Sequence, residues 1–145
     1  RLSEFRLILV MSRKSPLAAL DEIHYSDLAP LVELAHADPY VPTLPYGEIR
    51  RDVFHEASTR VIYVFERGSQ FDLLSRNTET FMWVSPIPDN TLTRFDLVQR
   101  PCVDTNDFMR DILIYRKNYS FTDYDKLFIN EIKKYREKYV DPLYT

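Results

Sequence analysis

The stretch TRVIYVFERGSQFDLLSR, residues 59–76, decides how this chain folds. Its first half runs β-branched and aromatic residues together, and Gly68-Ser69 follows as a turn signal. We therefore expect a strand over 59–69. FDLLSR (71–76) follows as a second strand and TETFMWVSP (78–86) as a third, with Arg76, Asn77 and Thr78 turning between them. That spacing predicts an antiparallel meander. In the third strand, period two sets Phe81 and Trp83 on one face and Thr80, Met82 and Val84 on the other, before Pro86 and Pro88 end it.

Outward from there, LTRFDLVQR (92–100) reads as a further strand. DFMRDILIYRKN (107–118) leans to strand, although Phe108, Asp111, Ile112 and Tyr115 also fit a helix. Toward the N-terminus, FRLILVMSR (5–13) has the apolar run of a buried strand. SPLAALDEI (15–23) opens with Ser15 as a cap and Pro16 in the first turn, then sets Leu17, Leu20 and Ile23 at helical spacing. A second helical piece is expected over 28–37, with Leu28, Leu31, Val32 and Ala35 as its stripe and Asp38-Pro39 as its stop. Prolines 39, 42 and 45 then forbid a helix or a central strand. With Tyr40, Val41, Leu44 and Tyr46 between them as anchors, they predict an ordered connector.

The strongest helix is SFTDYDKLFINEIKKYREKYV (120–140). Ser120 with Asp123, or Thr122 with Asp125, caps its start. Phe121, Tyr124, Phe128, Ile132, Tyr135 and Tyr139 step by three and four along one face, while Lys126, Lys133 and Lys134 lie away from it. Phe128 and Ile132 are expected deep in the core. The element order indicates an α+β fold: an antiparallel or mixed sheet packed against helices in two layers, with the long C-terminal helix on the core. A curved sheet capped by the last helix, of the pleckstrin-homology type, is the alternative architecture.

Composition narrows the function classes. With 145 residues, 45% of them apolar, the chain has the size of a single domain with a real core. We read it as one domain over 1–145, excised from a larger protein. Two glycines, Gly47 and Gly68, leave no G-x-G-x-x-G or Walker A loop. One cysteine, Cys102, excludes an internal disulfide and reads as a small buried apolar group. No apolar run reaches the roughly 18 residues of a membrane span, and an intracellular setting is expected.

No catalytic pattern holds together. His24, His36 and His55 sit in the N-terminal third, and a site joining His24 or His36 to Asp27 or Asp38 is the one metal arrangement to weigh. His55-Glu56 lacks the second histidine of a zincin. Pro88-Asp89 with Glu131 and Lys133 imitates a nuclease layout, but Glu131 and Lys133 lie two apart on a helix and diverge. Asp104-Thr105-Asn106-Asp107 lacks the glycine and closing glutamate of a calcium loop. We therefore expect no enzyme, cofactor or metal. The net charge of −3 divides unevenly: acidic groups prevail over 15–56 and basic ones over 110–138. The expectation is a protein-protein interaction domain, with Tyr40, Tyr46, Lys126, Lys133 and Lys134 as contact residues. A nucleic-acid-binding module using the basic C-terminal segment is the alternative.

Overall fold

The computed structural model describes residues 2–37, 60–106 and 108–141. The connector over 39–46, with Tyr40 and Tyr46, lies outside the described residues, as does His55.

The strand at the N-terminus is two strands. Ser3–Arg6 is β1 and Ile8–Ser12 is β2. β1 leaves the main sheet and pairs antiparallel with β7, Phe108–Asp111, Ser3 opposite Asp111 and Arg6 opposite Phe108. β2 is buried along its whole length. It runs antiparallel to both its neighbours, β5 (Thr80–Val84) and β6 (Leu97–Arg100). The five-stranded sheet has the order β4-β3-β5-β2-β6, where β3 is Val32–His36 and β4 is Val61–Val64. β3 pairs parallel with β4 on one side and with β5 on the other. The sheet is thus mixed, and the fold class read from the sequence stands: a mixed sheet packed with helices, a helix at the C-terminal end among them.

The meander does not form, for a local reason. After β4 the chain enters helix α2, Arg67–Arg76, where the sequence predicts a turn and a second strand. Glu66 is the cause. Its carboxylate accepts from the backbone N–H of Gly68 (2.8 Å) and of Ser69 (2.6 Å), satisfying the donors that open a helix. Gly68 is a first-turn residue, not a hairpin turn. A Cβ there would stand 3.0 Å from both Glu66 carboxylate oxygens and crowd the cap. The helix then carries the chain over the sheet, so β5 runs parallel to β3.

Two more segments differ from expectation. Helix α1 covers only Tyr25–Leu28, and the helix expected over 28–37 gives way to β3. Glu33, Leu34 and Ala35 favour a helix in isolation, but burial between two strands overrides that weak preference. The strand expected over 92–100 begins only at Leu97. Before it, Asp89–Arg94 forms helix α3, with the Pro88 carbonyl accepting from Thr91 and Leu92. Asp96 makes the turn from α3 into β6 with a positive φ of 52°. Its carbonyl accepts from the Arg13 N–H at 3.0 Å and its carboxylate from Arg13 Nε at 2.9 Å.

Helical elements cover both faces of the sheet rather than one. On the first face Leu9, Met11, Phe81 and Trp83 meet Leu17 of a 3-10 turn (Pro16–Ala19), with Ile23, Leu28 and Leu31. On the second, Val10, Leu34, Met82 and Leu97 meet Leu74 of α2 and Leu92 of α3. The face assignment of Phe81 and Trp83 against Met82 holds. Burying each such side chain contributes roughly 1.5–3 kcal/mol. Cys102 is buried, and burial raises its thiol pKa.

The C-terminal helix, α4 (Asp123–Tyr139), has its expected cap: Thr122 Oγ1 accepts from the Asp125 N–H at 3.2 Å, and Asp125 accepts from the Thr122 N–H at 2.8 Å. Its expected burial is absent. Phe128 is 60% exposed, Ile132 is only half-buried, and no residue of α4 is buried. The stripe finds no facing layer among the described residues.

Candidate functional site

In an open sheet with parallel strands, ligands settle beyond the carboxyl ends of the strands, where neighbouring connections leave in opposite directions. That place is defined here. The chain leaving β3 returns as β4 on one side, and the chain leaving β5 returns through α3 as β6 on the other. The switch point lies between the ends of β3 and β5, at His36 and Val84.

The amino end of α2 opens beside it, just beyond the end of β4. Glu66, Arg67 and Gln70 build this corner. Gln70 is buried on α2, and its amide donates to the Leu34 carbonyl of β3 at 3.0 Å, tying the helix to the strand. Its oxygen accepts from Arg67 Nη1 at 3.0 Å, which fixes the guanidinium at the first helical turn. The Glu66 carboxyl is held below the usual carboxylate range, first by the Gly68 N–H, then by Ser69, with a smaller contribution from His36. The corner therefore holds a positioned guanidinium and a carboxylate engaged by the helix-opening N–H groups, at the carboxyl end of the strand that finishes with His36. Such a set can orient a small polar molecule by charge-assisted hydrogen bonds. Among the described residues, no group of three His, Cys, Asp or Glu side chains is placed to hold a metal.

His24 is used elsewhere. Its Nδ1 lies 3.1 Å from Asp104, which also accepts from the Tyr25 N–H at 2.8 Å. The His24 N–H donates to Asp27 at 2.8 Å. Asp104 raises the His24 pKa. The Tyr25 N–H and then His24 lower that of Asp104. With the Val103 N–H donating to the Ile23 carbonyl at 3.0 Å, these contacts fasten the loop after β6 to the start of α1.

The lysines singled out in the sequence do not join the strand-end corner. Lys126, Lys133 and Lys134 are exposed on α4. Lys126 pairs with Asp123 at 3.0 Å and Lys134 with Glu131 at 2.6 Å. A cleft of about 420 Å³ opens at the foot of this helix, lined by Leu113, Ile114, Tyr115, Arg116, Tyr119, Phe121 and Asp125. Phe121 stands edge-on to Tyr115 and Tyr119, with centroids 4.8 and 5.6 Å away, and the Tyr119 hydroxyl donates to Asp125 at 2.8 Å. Sequence reasoning missed Glu66, Arg67 and Gln70. The signal was E-R-G-S-Q after a strand, a helix start hidden by the turn reading of Gly-Ser.

No family model matches the chain, and no curated protein matches its sequence. Solved structures do share its fold. The BenM effector binding domain with its effector benzoate is 18% identical at a TM-score of 0.58, over 99% of this chain and 66% of that one. The effector binding domain of QuiR in complex with shikimate is 19% identical at 0.55, over 94% of this chain and 64% of that one. The regulatory domain of MetR, a LysR family regulator from N. meningitidis, is 10% identical at 0.55, over 97% and 64%. The chain thus has the fold of effector-binding regulatory domains and spans just under two thirds of their length. No helix among the described residues is long and apolar enough to cross a membrane.

Proposed function

We propose that this chain is the larger part of a non-enzymatic regulatory domain, excised from a multidomain regulator, that binds a small organic acid. The observation that carries the reading is the agreement of two placements. The fold matches domains described with benzoate and shikimate, both carboxylates, along nearly the whole chain. The switch point of the sheet meets a corner holding Arg67, His36 and Glu66. Arg67 pairs with the ligand carboxylate, His36 adds a second hydrogen bond, and Glu66 accepts from ligand hydroxyls.

The test is thermal unfolding of the full-length polypeptide against a panel of small aromatic and hydroxylated carboxylates and their neutral amides. A ligand at a hundredfold excess over its Kd contributes about 2.7 kcal/mol and raises Tm by several degrees. The acids stabilise, the amides do not, and Arg67→Ala removes the shift while leaving the ligand-free Tm within a few degrees. Equal stabilisation by amides, or no shift from any acid at millimolar concentration, overturns the reading.

Nucleic-acid or protein contact through Lys126, Lys133 and Lys134 is a separate reading, favoured only by their exposure. The ion pairs of Lys126 and Lys134 weaken it for a polyanion. Its measure is binding that falls steeply with salt and is lost on reversing these charges.

A further inference from the structure

The cleft at the foot of α4 is built by a turn and a helix cap that are neighbours in the chain. The Tyr119 N–H donates to the Arg116 carbonyl at 2.9 Å, which folds residues 116–119 back on themselves. Thr122 and Asp125 then close the capping box of α4. The Tyr119 hydroxyl donates to Asp125 and joins turn to cap. The walls are thus set by the chain itself, and a ligand need not spend binding energy on ordering them.

Three of the walls are aromatic. Tyr115 and Tyr119 each meet Phe121 near a right angle, at 71° and 84°. Stacked rings hide their faces from a third body, whereas rings set at right angles form a corner. Tyr115 and Tyr119 are 55% and 46% exposed, so the corner is open to solvent among the described residues. The face of an aromatic ring is the negative side of its quadrupole, and it attracts a cation lying within about 6 Å of the centroid.

Two charges of opposite sign share this lining. Asp125 accepts from the Thr122 N–H at 2.8 Å, the Thr122 hydroxyl at 2.7 Å and the Tyr119 hydroxyl at 2.8 Å, and all three bonds fall on Oδ2. Oδ1 takes none of them. The Thr122 hydroxyl first, then Tyr119, hold the carboxyl below the usual range, so it is ionised at neutral pH. Arg116 lines the same cleft, and among the described residues no ion pair joins it to Asp125. A carboxylate and a guanidinium that share about 420 Å³ without meeting match a molecule that is itself dipolar. The volume is that of a small-molecule site.

We propose that this cleft is a second ligand site, taking a small betaine: a zwitterion whose alkylated ammonium rests against Tyr115, Tyr119 and Phe121 and whose carboxylate reaches Arg116. The alkyl groups matter. A primary ammonium brings three N–H donors, and each one left unpaired against these rings is costly. A trimethylammonium brings none, and its methyl groups suit both the ring faces and Leu113. The site shares no residue with Glu66, Arg67 and Gln70, so it neither supports nor depends on the acid site proposed above.

The test is isothermal titration calorimetry of the full-length polypeptide with glycine betaine and two isosteres. Choline keeps the ammonium and loses the carboxylate. Tert-butylacetate keeps the carboxylate and has carbon in place of the charged nitrogen. All titrations use an Arg67→Ala background, so that the strand-end corner cannot capture the acids. Glycine betaine binds saturably at roughly millimolar concentration. Tert-butylacetate binds at least about tenfold more weakly, and choline about two- to fivefold more weakly. Tyr115→Leu weakens glycine betaine about two- to fivefold, and Arg116→Gln brings glycine betaine and choline to the same affinity. Both side chains are exposed, so neither change disturbs the far-UV circular dichroism. The proposal is overturned if glycine betaine shows no saturation, if tert-butylacetate or choline binds as tightly as glycine betaine, or if both substitutions leave its affinity unchanged.

Discussion

The sheet unit and the C-terminal unit are built from the same kinds of residues and have opposite fates. In the five-stranded sheet, Leu9, Phe81 and Met82 are sealed between helical elements on both faces. In α4, Phe128 and Leu127 follow an equally regular pattern and stand in solvent. Periodicity states that a face is apolar. It does not state what covers it, and the cover is what converts a stripe into stability.

The sharpest way to break this comparison is a pair of truncations. Phe81→Ala should cost about 3–5 kcal/mol in urea unfolding of the 145-residue chain, because both transfer energy and packing are lost. Phe128→Ala should change stability by no more than about 0.5 kcal/mol. Comparable losses would place both residues in one cooperative core. At the next level, Gln70→Leu should cost about 1–3 kcal/mol, since the buried Leu34 carbonyl loses its donor. Loss of the Arg67 contact should then be visible as weaker acid binding. A neutral result would mean that α2 sits on β3 by packing alone. Thr122→Ala should cost about 1 kcal/mol of helix stability. In hydrogen exchange, that loss should speed the first turns of α4 and leave β2 and β5 unchanged.

The smallest effect concerns pH. His24 has its pKa raised by Asp104, so its contribution is full below its unfolded value and is lost as pH rises through the folded one. Asp104 has its pKa lowered, so its contribution is present above its unfolded value and lost on acidification. Both are in force between roughly pH 4 and 6.5. His24→Asn should flatten the decline of Tm above that window and leave the acid limb governed by other carboxylates.

Much of the fold was legible because burial on both faces leaves a plain mark. The runs in 5–13 and 78–86 read as strands, and Thr122 with Asp125 announced α4. The errors share one cause. FDLLSR, VELAH and LTRFD are each short enough that local preference is nearly balanced, and each was settled by its surroundings: a single side chain, neighbouring strands or the backbone just upstream. Glu66 turned the first into a helix, flanking strands drew the second into the sheet, and the Pro88 carbonyl started a helix in the third. The candidate site was less legible still. His36 drew attention as a metal ligand, whereas Arg67 and Gln70 gain meaning only once Leu34 is known to lie beside them.

The left-handed backbone at Asp96 has a consequence for which sequences can occupy this fold. A β-branched residue is nearly forbidden at a φ of 52°, so valine, isoleucine and threonine are excluded there. Glycine accepts the conformation but gives up the carboxylate that Arg13 Nε meets, and asparagine keeps the shape without the charge. In a saturation library selected for folding, position 96 should retain aspartate, asparagine and glycine, while Arg13 varies freely only in the glycine background.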